Sequence, residues 1–184
     1  NMLLREVIMT ALTYLGDEEV ALDGKLLKHP KLNLLMRCAN IVLKEIATDY
    51  LPLAAEEAVD VKDGRISYDA FSRRLLEALV VKDANTETKT VFRHTPSALE
   101  IKNKDIKRAN VKYNYMPMDA GLDDECQISP LVSEKTVAMG VCSEFSLIEG
   151  MYEQSVMFSE RYKDDLRSVA RKKGEIRIKP RRWY

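Results

Sequence analysis

The chain has 184 residues, of which 46% are hydrophobic and 32% charged, and its 29 basic and 29 acidic side chains give a formal net charge of zero. This length and composition predict one soluble globular domain with a hydrophobic core of ordinary size. Because the charges balance overall, no global electrostatic field selects nucleic acid or a membrane as the partner.

The cysteine content and the hydropathy pattern narrow the class of protein further. The three cysteines are an odd number and include no C-x-x-C pair, so a disulfide framework is not expected and a reducing compartment is favoured. No apolar run approaches the ~18 residues of a membrane span. Glu6 lies too close to the start for a signal peptide, and Asn1 before Met2 resembles an expression remnant.

Two amphipathic helices are predicted in the first 52 residues. Residues 3–15 place apolar side chains on one stripe, and Gly16 ends this helix. The next stretch is weaker and contains a turn signal at Asp23-Gly24. Pro30 then begins a second helix, which ends near residue 50 because a proline follows shortly after.

The middle of the chain changes to the two-residue period of strands. Residues 58–61 and 65–68 flank Asp63-Gly64 and predict a β-hairpin. Residues 73–81 suit either a helix or a strand, with a strand favoured for the second half. Further strands are predicted at 88–93, 99–101 and 111–115, followed by an acidic loop at residues 118–127.

Residues 133–173 form the longest helical pattern, with Ser133 as its predicted N-cap. Unbroken, this helix would be about 60 Å long. Gly140 and Gly150 interrupt the pattern and indicate close packing, a kink or a split into two helices. The apolar face is predicted to contain Val137, Val141, Phe145, Ile148, Tyr152, Val156, Tyr162, Leu166 and Val169, with Phe158 or Ser159 bridging its longest gap.

Helices, then strands, then helices indicate an α+β fold, in which the N- and C-terminal helices form a bundle around a mainly antiparallel β insertion. We expect residues 1–184 to form a single domain. Its parts are N-terminal helices at 1–52, a β-rich insertion at 53–118, one long helix or two helices at 130–173, and an extended basic-aromatic segment at 174–184, here called the C-terminal arm.

No catalytic pattern stands out in the sequence. A calcium-loop register placed on Gly64 puts apolar residues at the ligand positions. His29 and His94 have no metal-ligand partners at the expected spacing, and Cys38 and Cys142 lie within helical apolar patterns, as structural thiols do. We therefore predict a protein that is not an enzyme and has no cofactor. A weak candidate for a divalent cation remains in the acidic loop, with Asp119, Asp123, Asp124 and Glu125.

The C-terminal arm is the most unusual stretch of the chain. Residues 170–184 contain seven basic residues and one acidic residue, so the rest of the chain carries the opposite net charge. Arginine and aromatic residues together are typical of interface anchors. An arm reaching another subunit is favoured over packing on its own domain, and contact with nucleic acid is the weaker alternative. The predicted partner-binding residues are Arg177, Lys179, Arg181, Arg182, Trp183 and Tyr184.

Five segments of the chain resemble those of a known family. They are 37–52 (RCANIVLKEIATDYLP), 111–117 (VKYNYMP), 132–150 (VSEKTVAMGVCSEFSLIEG), 160–165 (ERYKDD) and 181–183 (RRW). From about residue 32 onward, their order is similar to that in the head–tail adaptor proteins of tailed bacteriophages and prophages, the tail tubular protein A-like or gateway group.

The resemblance implies a structural virion protein that is assembled in the cytoplasm of a bacterial host. Such adaptors form a ring, commonly of twelve copies, between the portal protein and the tail tube or nozzle proteins, and the isolated protein can be a monomer. Double-stranded DNA passes through the ring without sequence recognition. No membrane is involved.

Overall fold

A computed structural model describes residues 2–17 and 23–173 and confirms the α+β class. Contacts divide the chain into two compact units. The helical unit comprises Asn1–Ile46 and Asp119–Tyr184, within the described residues, and the β unit comprises Ala47–Met118.

The helical unit contains four helices of more than two turns among its described residues. They are α1 (Leu4–Tyr14), α3 (Leu32–Glu45), α4 (Glu134–Ile148) and α5 (Tyr152–Lys173). The two predicted N-terminal helices are confirmed, and α3 continues into a π-helical turn, Ile46–Tyr50. The turn predicted at Asp23-Gly24 is wrong, because these residues begin a short helix, α2 (Asp23–Leu26). The fully buried Leu26 anchors this single turn, which local propensity alone would not stabilise.

α4 is the central helix of this unit. It contacts α1, α3 and α5, and every residue from position 136 to position 142 is buried. The N-terminal helices supply matching stripes at three- and four-residue spacing, as an amphipathic face requires. The stripe of α1 is Leu4, Val7, Ile8, Ala11 and Leu12, and that of α3 is Leu35, Cys38, Ala39, Val42 and Leu43.

The C-terminal helical pattern is split into two helices, which was one of the two predicted alternatives, and the other alternative, one unbroken helix of about 60 Å, is wrong. Ser133 caps α4 as predicted, its hydroxyl accepting a hydrogen bond from the Thr136 N–H at 3.2 Å. α4 ends in a Schellman motif, in which Gly150 adopts a φ of +78°. The Met151 N–H donates to the Ser146 carbonyl at 2.8 Å, and the Gly150 N–H donates to the Leu147 carbonyl at 3.2 Å.

Gly140 marks close packing of three helices. A Cβ atom at this position would lie 2.8 Å from Cγ1 of Val42 on α3 and 2.9 Å from Cε2 of Tyr162 on α5. Neither contact is with the end of a flexible side chain, so a methyl group would force the helices apart.

The β unit contains two antiparallel three-stranded sheets among its described residues. The strand order is β1-β6-β3 in one sheet and β2-β5-β4 in the other. The core of the unit includes the fully buried Ile66, Leu99 and Tyr113. The strands are β1 (Leu53–Asp60), β2 (Arg65–Ser67), β3 (Leu75–Asp83), β4 (Phe92–His94), β5 (Ala98–Ile101) and β6 (Arg108–Tyr115).

The structure confirms the predicted turn at Asp63-Gly64 but not the hairpin around it. Both residues have positive φ, 50° and 74°, and Lys62 and Arg65 exchange two backbone hydrogen bonds of 2.9 Å. The strands then diverge, because β1 pairs with β6 and β2 pairs with β5. The strand predicted at 88–93 is also only partly correct, since β4 begins at Phe92.

A polar network links β1, β6 and the segment before β3. The Tyr113 hydroxyl donates to Glu57 Oε1, and Ser72 donates to the same carboxylate through its hydroxyl (2.6 Å) and its N–H (3.0 Å). Partial burial raises the pKa of Glu57, but these hydrogen bonds outweigh it and hold the pKa below its ordinary value of 4.5. Burial and the Glu57 contact raise the pKa of Tyr113 to about 12.

The packing around Gly140 predicts that Gly140→Ala destabilises the protein. Overpacking costs about 1–3 kcal/mol, and the better helix propensity of alanine returns about 1 kcal/mol. We expect a net loss of about 1 kcal/mol in urea unfolding. Ser168→Ala, on an exposed position of α5, is the control and should be neutral or slightly stabilising. Equal behaviour of the two variants would show that Gly140 is not tightly packed.

The lowered pKa of Glu57 predicts a pH-dependent contribution to stability. The folded state favours the carboxylate, so this contribution is complete above the unfolded pKa and is lost as the pH falls through the folded value. We expect Glu57→Gln to be less stable than the wild type at pH 6, with the difference shrinking towards pH 3. Urea unfolding at both values measures this, with the exposed Glu56→Gln as the control. A difference that is constant with pH would contradict it.

Candidate assembly surface

α4 and α5 form a helical hairpin, and hydrogen bonds join the two helices at both ends of it. Near the turn, the Ser143 hydroxyl donates to the Ser155 carbonyl at 3.1 Å, and the Ser155 hydroxyl donates to the Ser143 carbonyl at 2.9 Å. Near the open end, the Thr136 hydroxyl donates to Asp165 at 3.3 Å. These hydrogen bonds hold α4 and α5 in one relative geometry. The side chains at the turn of the hairpin are therefore carried by two helices that support each other.

The turn of this hairpin exposes an unusual number of large apolar side chains. Tyr152 is 66% exposed and Val156 58% exposed, although both fall on the predicted buried face. We call residues 147–157 the hairpin tip. Its exposed apolar residues are Leu147, Ile148, Met151, Tyr152, Val156 and Met157. Exposed apolar residues concentrated in one place mark an interaction surface.

The prediction that Ile148, Tyr152 and Val156 are buried is therefore wrong. The reversal at Gly150 restarts the helix in a new direction, so the stripe of α4 does not continue into α5. From there on, the buried face of α5 contains Phe158, Tyr162 and Leu166. Phe158 thus bridges the longest gap in the pattern, as one of the two predicted alternatives.

The hairpin tip and its flanks are acidic. Residues 144–160 contain Glu144, Glu149, Glu153 and Glu160, and no lysine or arginine. Lys31 forms an ion pair with Glu149 at 3.0 Å. Leu147 and Val156 line a groove between the two helices, together with Glu144 and Glu160, and farther along α5 the groove is also lined by Lys163, Asp164 and Arg167. The border of the tip within residues 144–160 is therefore acidic, whereas the part of the groove beyond it carries both signs of charge.

The carboxylates of the acidic loop bind groups of the protein itself. Asp119 pairs with Lys44 at 2.6 Å, and Asp123 pairs with Arg5 at 2.6 Å. Asp124 accepts a hydrogen bond from the Gly121 N–H at 2.7 Å. In residues 2–17 and 23–173, no three His, Cys, Asp or Glu side chains are grouped so that they could hold a metal ion.

The surroundings of the cysteine thiols and the histidine rings are typical of residues with a structural role. Burial raises the pKa of Cys38 and Cys126 to about 11 and that of Cys142 to about 12, which disfavours the nucleophilic thiolate. The His29 ring contacts Asp17 at 3.0 Å and accepts the Lys31 N–H at 3.1 Å. His94 is exposed on β4, and its Nε2 accepts the Ala78 N–H at 3.0 Å.

A second surface feature, here called the basic cleft, lies within the β unit and has a volume of about 470 Å³. Arg65 and Arg93 line it and pair with Glu100, at 3.7 Å and 2.5 Å. Lys102 and Lys104 extend its positive charge.

The predicted partner-binding residues Arg177, Lys179, Arg181, Arg182, Trp183 and Tyr184 lie outside the described residues. The structure therefore adds the hairpin tip, which the sequence reasoning missed. A usable signal was present, since six large apolar residues and no cation fall within the eleven positions around Gly150.

Comparison with known proteins found no matching family model and no matching curated protein. None of the helices in the described part of the chain combines the length and the apolar character that crossing a membrane requires.

The ion pairs of the acidic loop predict that divalent cations do not stabilise the protein. A ligand that binds only the folded state raises the melting temperature. Because Lys44, Arg5 and Gly121 engage the loop carboxylates, we expect Mg²⁺, Ca²⁺ and EDTA to change the melting temperature by less than about 1 °C. A rise of several degrees with either ion that Asp123→Asn abolishes would instead establish a metal site in the loop.

Proposed function

We propose that this protein is a structural head-to-tail adaptor of a tailed bacteriophage or prophage. In this role it forms a ring between the portal protein and the tail, and double-stranded DNA passes through the ring. It acts by contact with other proteins and not by catalysis.

The observation that carries the proposal is the division of the chain. The N- and C-terminal segments together form the helical unit, and the intervening residues form a separate antiparallel β unit. This agrees with the family resemblance, in which the terminal helices form a bundle around a β insertion. The resembling segments 37–52 and 132–150 include most of α3 and all of α4, whose apolar faces contact each other.

The hairpin tip supports an assembly role independently of the resemblance. Burial of six large apolar side chains would stabilise a protein that acts alone. In this protein they are exposed, on a hairpin that is held together by hydrogen bonds. Aromatic and methionine side chains are enriched in the cores of protein interfaces. Tyr152, Met151 and Met157 supply these types at the tip.

The zero net charge fits the passage of DNA. Phosphate contacts from lysine and arginine bind DNA strongly at low salt, and a lumen that gripped the duplex would slow its movement. A chain with balanced charges avoids a strong general attraction. It is also compatible with contact at a few basic positions, such as the basic cleft.

The direct test is co-expression with the portal protein encoded nearby in the same genome. We expect the full chain to co-purify with the portal and negative-stain images to show a second ring stacked on the portal ring. Portal expressed alone is the control and should lack the added ring. No association at concentrations of tens of micromolar, with portal rings intact, would contradict the adaptor function.

The alternative function is a small nucleic-acid-binding module that uses the C-terminal arm. The basic cleft favours it, because Lys102 and Lys104 add a second basic region. This alternative requires DNA binding at about 50 mM salt that weakens steeply with salt and with Arg181→Ala/Arg182→Ala. DNA binding of this kind together with failure to bind the portal would favour the alternative over the adaptor.

A further inference from the structure

We infer that the C-terminal arm of one subunit binds the hairpin tip of a neighbouring subunit. The inference rests on the proposed ring and identifies the surface that links one copy to the next. Its two halves are the described apolar-acidic surface and the basic-aromatic residues 174–184 of a second copy.

The charges of the two segments are complementary. Residues 144–160 carry four glutamates and no lysine or arginine, and Lys31 offsets one of the glutamates. Lys163 and Arg167 line the part of the groove farther along α5, so the negative charge is concentrated at the tip. The C-terminal arm carries Arg177, Lys179, Arg181 and Arg182 against the single acid Glu175. Opposite charge across an interface favours encounter and disfavours wrong partners.

The apolar groups are complementary as well. The exposed Tyr152, Val156 and Leu147 offer an apolar surface beside the α4–α5 groove. The arm brings Ile176, Ile178, Trp183 and Tyr184, and a buried aromatic side chain covers about 150–250 Å². Tryptophan, tyrosine and arginine are the residue types that contribute most to binding energy at interfaces.

The proposed ring requires a contact between copies, so we assign the arm to a second copy and not to the same chain. The tip extends onto α5 as far as Met157, and the 16 residues from there to the end of the helix measure about 24 Å. Eleven residues span at most about 36–40 Å when fully extended. Reach alone permits the arm of the same chain as well, and the isotope-labelled cross-links described below distinguish the two.

A contact between two different surfaces at opposite ends of one hairpin is heterologous. Each copy then offers one arm and one tip, and successive copies form a closed ring or an open filament. A ring is the closed form that the proposed function requires. The arm–tip contact thus explains how one chain type builds the ring without a second protein type between its copies.

The test uses the full chain with a photoreactive benzoylphenylalanine in place of Trp183, assembled on the portal from equal amounts of ¹⁴N and ¹⁵N protein. We expect cross-links to peptides within residues 147–157 that join chains of different isotope. Cross-links confined to one chain, or to the portal alone, or to other regions of the neighbouring copy would overturn the inference.

Charge exchange gives an independent readout. Glu153→Lys/Glu160→Lys and Arg181→Glu/Arg182→Glu should each weaken ring formation at least tenfold, and their combination in one chain should restore it. Glu56→Lys, on the exposed face of β1, is the matched control and should assemble normally. Circular dichroism checks that each variant is folded. Loss without restoration in folded variants would refute the arm–tip contact.

The two proposals fail in different ways. If the protein does not bind the portal at all, the adaptor function fails. If rings form on the portal but neither the cross-links nor the charge exchange involve the hairpin tip, the adaptor function stands and the arm–tip contact is wrong.

Discussion

The left-handed turn at Gly150 is the constraint on which the helical unit depends. A residue with a side chain at a φ of +78° costs about 1 kcal/mol or more, whereas glycine adopts it freely. This turn allows Phe158, Tyr162 and Leu166 to pack back against α4. Gly140 completes the arrangement, since the absence of its side chain lets Val42 and Tyr162 approach the same point of α4.

Polar groups of the helical unit mostly hold its parts together. Asn40 on α3 both donates to the Ala120 carbonyl at 3.0 Å and accepts the Ala120 N–H at 2.7 Å, which fixes the returning chain against the helix. Arg5 and Lys44 fix the acidic loop in a similar way. Against this background the hairpin tip is distinctive, because its large side chains are apolar and exposed. A surface of this kind stabilises a complex more than it stabilises the isolated chain.

The sequence predicted what depends on neighbouring residues. The stripes of α1 and α3, the cap at Ser133, the strand ending at Tyr115 and the positive φ at Gly64 all follow from local spacing or local backbone preference. The pairing of strands that are distant in the chain could not be predicted from local spacing. The residues after Asp63-Gly64 were expected to return along β1, whereas β6, about fifty residues later, occupies that position.

The same distinction applies to the candidate site. Apolar periodicity predicted burial for Tyr152 and Val156, because a regular stripe normally faces a core. Whether a stripe is covered depends on where the preceding helix ends and in which direction the next one runs. Gly150 sets that direction. The sequence alone did not decide whether this glycine marks a kink, close packing or the end of a helix. The partner-binding residues of the C-terminal arm stay a prediction.

The central position of α4 has a consequence for synthesis of the chain. α1 and α3 bury their apolar faces mainly against α4, which begins about ninety residues after α3 ends. At a synthesis rate of roughly 5–20 residues per second, the ribosome begins α4 about 5–20 seconds after it finishes α3. All residues of the β unit are synthesised in that interval. The β unit is therefore the first part of the nascent chain that can complete its core. The helical core must form last, through contacts of long sequence separation, which are slow to establish.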